Sequence, residues 1–68
     1  MEKQFKRNEM EALNLMGELS TMEATKKLQW DEQVSIAKFI VERIIASHGV
    51  SSGERIYYSA VLRSLTNL

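Results

Sequence analysis

A small all-α domain of three helices is the fold class these 68 residues predict. Three observations predict it. The chain contains no proline, its apolar residues recur at helical spacing, and the stretch Gly49-Val50-Ser51-Ser52-Gly53 separates two such periodic segments. The length allows one domain, residues 1–68, and no internal repeat or low-complexity tract divides it.

The first segment predicts an N-terminal helix over about 8–27. Asn8 stands where a side-chain oxygen can take an orphan amide of the first turn, and Glu11 follows three residues on, as in a capping box. Phe5, Ala12, Leu15, Met16, Leu19 and Met22 share one third of a helical wheel, with Leu13 off that stripe. Ser20 and Thr21 weaken the helix, because short hydroxyl side chains compete for backbone bonds. A bend, or a second start with Ser20 as cap and Glu23 behind it, is expected there. Met10, Met16 and Met22 read as core filling rather than as an adaptable binding face.

The second helix is predicted over about 31–48. Asp31 and Glu32 suit its N-terminus, Gly49 suits a left-handed C-terminal cap, and His48 is placed to meet the last carbonyls. Trp30, Val34, Ala37, Val41, Ile44 and Ile45 form one apolar face, which Ile36, Phe39 and Ile40 widen well past a single stripe. A helix apolar over so much of its circumference needs cover on two sides. Two other short helices do not supply it, so the expectation is a homodimer.

The third helix is predicted over about 52–66. Ser51 and Glu54 form a capping-box pair, and Tyr58, Val61, Leu62 and Leu65 follow the spacing of a core face. Ile56, Tyr57 and Ala60 lie elsewhere on it. Helices two and three then make an antiparallel hairpin, with the N-terminal helix packed against it.

Composition narrows the function. A chain this short buries only about 60% of the surface its unfolded form exposes. It has no cysteine for a disulfide, and with His48 as its one histidine a structural zinc site is not expected. Good packing or self-association must supply the rest. No nucleophile–base pair, paired carboxylates or phosphate loop is visible, so neither catalysis nor a cofactor is expected. Residues 1–7 carry Lys3, Lys6 and Arg7 but no apolar run behind them, and no segment is apolar enough to span a bilayer. A cytoplasmic protein without a membrane partner is the expectation. Nine basic and nine acidic residues balance. That places a nucleic-acid target second to a protein target, because phosphate neutralisation supplies most nucleic-acid affinity.

The candidate protein interface is therefore Ile36, Phe39, Ile40 and Tyr57. Tyrosine favours binding hot spots, and Tyr57 points away from the face that Tyr58 lends to the core. In the nucleic-acid alternative, the third helix offers Arg55 and Arg63 to a groove, with Lys3, Lys6, Arg7, Lys26 and Lys27 as phosphate anchors. The link around residues 49–53 is longer than the three or four residues of a helix-turn-helix.

Four stretches carry a family resemblance: Glu32-Gln33-Val34-Ser35-Ile36-Ala37-Lys38-Phe39-Ile40-Val41, then Ile44-Ile45-Ala46-Ser47, then Val50-Ser51-Ser52, and then residues 56–65, closing on Val61-Leu62-Arg63-Ser64-Leu65. Over about residues 31–66 the chain resembles the YmgB/AriR family of small regulators of biofilm formation and acid resistance. Its turn-to-helix stretch is about two residues longer than the family pattern, and residues 1–30 do not align. The resemblance implies a helical homodimer acting as a connector or regulator of a two-component phosphorelay, with gene expression as output; DNA binding is also linked to the family. It transfers no site residue. The leading expectation is a non-enzymatic regulator working by protein–protein interaction. A dimeric DNA-binding transcriptional regulator and a phage- or plasmid-encoded inhibitor of a host protein are the alternatives.

Overall fold

The computed structural model describes residues 6–68 and contains three helices: α1 (Arg7–Thr21), α2 (Trp30–Ala46) and α3 (Ser52–Thr66), with no strand among the described residues. Phe5 and Lys3 lie outside the described residues. The all-α fold is as the periodicity predicts, and the boundaries of α3 match the expected 52–66.

Helix α1 departs most from expectation. It starts before Asn8: the Lys6 amide donates to Glu9 Oε1 at 3.2 Å, the backbone half of a capping box. Asn8 is not the cap. Its Nδ2 donates to Ser64 Oγ at 2.9 Å and reaches the Ala60 carbonyl at 3.5 Å, cross-linking α1 to α3. The helix also stops at Thr21, short of residue 27, and Met22 takes extended backbone angles. Ser20 starts no second helix; its hydroxyl donates back to the Met16 carbonyl. Residues 23–27 make a turn, where Lys26 Nζ donates to Glu23 Oε1 at 2.9 Å on the surface.

Helix α2 begins at Trp30 behind the Gln29 cap position, whose amide donates to Glu32 Oε1 at 3.0 Å. Its C-terminus is closed by Ser47 and not by His48. The Ser47 amide donates to the Ile44 carbonyl and its hydroxyl to that of Arg43. Gly49 has φ +88°, the left-handed geometry the sequence predicts for it, but within the turn past that cap. Ser51 caps α3 as expected, its Oγ accepting from the Glu54 amide at 3.2 Å.

The core is one cluster: Ala12, Met16 and Leu19 from α1, Ala37 and Val41 from α2, Val61 and Leu65 from α3. Ala12 and Ala37 are fully buried, and their small side chains let the helices approach closely. Helix α3 packs on both of its neighbours, whereas α1 and α2 share the thinnest interface. The molecule is flat, with extents of 37 × 35 × 16 Å. Packed helix axes sit about 8–10 Å apart, so it is no more than two helices thick, and each helix keeps an outward face.

Candidate functional site

The core side of α2 is Gln33, Ala37 and Val41, one residue per turn, with Val34 and Ile45 packed beside them. Trp30, expected on that face, is half exposed instead. Round the helix from this side come Ile40 and Ile36, both partly buried against the core, and then Phe39, which is 63% exposed. The apolar arc thus runs continuously from the interior out to solvent. At its C-terminal half Phe39, Ile40, Arg43, Ile44, Ala46 and Ser47 line a shallow depression. The chain covers the inner part of the arc and leaves the outer part bare.

Tyr57 does not join this strip. It packs against the core beside Tyr58, ring centroids 5.1 Å apart in an edge-to-face pair, and the Arg7 guanidinium lies 5.0 Å over its ring. The expectation that Tyr57 points away from the core is thereby corrected. Two adjacent tyrosines both find cover because α3 contacts helices on two sides, and Tyr57 fastens α3 to the start of α1.

Arg55 and Arg63 do fall together. Two turns apart on α3, they flank Ile56, Ser59 and Ala60 along one outward face, where Ile56 is 73% exposed. Among the described residues neither arginine forms an ion pair.

Gln33 is a feature that hydrophobic periodicity missed. It is 4% exposed on the core face of α2, and its Nε2 donates to the Thr25 carbonyl at 2.9 Å. Ser20 Oγ donates to its Oε1 at 3.4 Å, and Thr25 Oγ1 donates to the Leu19 carbonyl at 2.6 Å. These bonds hold the turn between α1 and α2 against both helices. The only signal in the sequence is that Gln33 lies four residues before Ala37 on the buried side.

Among the described residues no group of three or more His, Cys, Asp or Glu side chains is placed to hold a metal, and no helix is long and apolar enough to cross a membrane. No protein-family model, curated protein or solved structure matches the chain. The reading of function therefore rests on the surface of α2 and α3.

Proposed function

We propose that the protein is a small non-enzymatic regulator that binds another protein and does so as a homodimer, joined through the outer apolar strip of α2. The observation that carries this reading is Phe39, 63% exposed at the end of an arc continued by Ile36, Ile40 and Ile44. Burying one such aromatic side chain is worth about 1.5–3 kcal/mol. In a two-fold dimer the same residue counts twice, a large gain for a domain whose core rarely supplies more than about 3–5 kcal/mol.

Charge placement supports a second copy as the cover. Glu32 lies four residues before Ile36, and Arg43 four residues after Phe39, on the same side of the helix. Antiparallel packing of two α2 helices about a point between Ile36 and Phe39 sets Glu32 of each copy against Arg43 of the other, with Ile36, Phe39 and Ile40 between them. Both charged residues are exposed in the single chain. On the YmgB/AriR resemblance, the protein target would belong to a two-component relay controlling biofilm or stress genes.

Sedimentation equilibrium tests the dimer. The parent chain is expected to self-associate at micromolar concentration, and Phe39→Ser to sediment as a monomer with unchanged helical circular dichroism. A folded parent that stays monomeric to hundreds of micromolar removes the reading.

A further inference from the structure

We infer that the outward face of α3 formed by Arg55, Ile56, Ser59, Ala60 and Arg63 docks an acidic helix of a partner protein. The inference rests on the reading that the chain binds a protein target, and supplies the chemistry of that target; it does not depend on the α2 dimer. Ile56 is the most exposed large apolar side chain described, at 73%. Arg55 adjoins it at the start of the helix and Arg63 lies almost two turns further along, the two arginines about 12 Å apart along the axis at 1.5 Å per residue. Neither is neutralised by a carboxylate among the described residues.

Arg55 has no evident task within the fold. It sits in the first turn of α3, where the positive end of the helix dipole disfavours a cation. Its placement therefore disfavours the helix, and among the described residues it gains no ion-pair partner. Between the arginines, Ser59 and Ala60 keep the surface low, so a second helix can approach along the shallow depression they line. An apolar knob on a low floor flanked by two guanidinium forks has the composition of a protein-binding hot spot. The matching surface carries carboxylates two turns apart with an aliphatic residue beside one of them, each carboxylate able to take a two-pronged arginine contact. Nucleic acid fits less well: the chain has no net charge to attract a polyanion, and a phosphate backbone offers Ile56 no apolar counterpart.

The test presents the immobilised full chain with a library of helical peptides randomised at their outward positions. Recovered peptides are expected to carry Asp or Glu pairs seven or eight residues apart, with an aliphatic residue beside one of the pair. Their affinity should fall at least tenfold against Arg55→Glu/Arg63→Glu and several-fold against Ile56→Ser, both checked for native circular dichroism. The charge-reversed protein should instead select Lys- or Arg-bearing peptides. Binding should persist on the Phe39→Ser background, so that loss of the dimer and loss of the docking face read separately. An empty selection, recovered peptides without acidic bias, or undiminished binding by the double variant overturns the inference. So does retention of mixed-sequence duplex DNA by the parent that Arg55→Glu/Arg63→Glu abolishes, because phosphate would then be the ligand.

Discussion

At the scale of single residues, Gln33 shows how a polar side chain can hold a core position. Its amide group is buried, with Nε2 donating to the Thr25 carbonyl and Oε1 lying 3.4 Å from the Ser20 hydroxyl. Replacing it by leucine keeps the volume but removes the Nε2 bond, leaving the Thr25 carbonyl with the Leu28 amide alone, a loss of about 0.5–1.5 kcal/mol. The expected outcome is a lower urea midpoint for Gln33→Leu. An unchanged midpoint would show that the Gln33–Thr25 bond adds nothing to stability. Hydrophobic spacing does not reveal such a residue, since it scores glutamine as surface whatever its neighbours. The same limit applies in reverse to Met22 and Trp30. Both fit an apolar stripe, yet both are half exposed, because the first lies past the end of α1 and the second at the first turn of α2, beyond the reach of the packed helices.

At the scale of elements, legibility follows how local the signal is. The cap of α3 was readable because Ser51 and Glu54 make it with each other. The end of α1 was legible only as the weakening at Ser20 and Thr21, because nothing local forbids helix through residues 22–27. The turn there is fixed by Gln33 and Thr25, contacts between segments that spacing cannot pair. Asn8 shows the same effect, its side chain claimed by Ser64 on another helix. Phe39 was legible as surplus apolar surface, whereas Ile36 and Ile40 are partly buried against the core and Tyr57 was misplaced, because the positions of the neighbouring helices are tertiary facts. Gly49, with φ +88°, supplies an element-scale prediction. No atom would obstruct an added Cβ, so the penalty in Gly49→Ala is backbone strain alone. A drop of roughly 1 kcal/mol in unfolding free energy is expected by denaturant titration.

At the scale of the whole molecule, a flat domain with a thin core has little stability to spare. Leu65 is 1% exposed where α3 meets the core. Leu65→Ala is expected to cost about 2–5 kcal/mol, comparable to everything a domain of this size can muster, and circular dichroism should find most of the helix lost at 37 °C. Self-association would raise stability by mass action. The melting temperature of the parent should therefore climb with protein concentration, while that of Phe39→Ser stays constant across the same range.

Because α3 makes the larger contact with each of the other two helices, the order of elements along the chain matters during synthesis. While α3 is still inside the ribosome, α1 and α2 have only their sparse mutual contact and the Gln33–Thr25 tether to hold them together. The nascent protein thus gains its cooperative structure in a single late step, and until then the greasy sides of two unsupported helices stand open to chaperones.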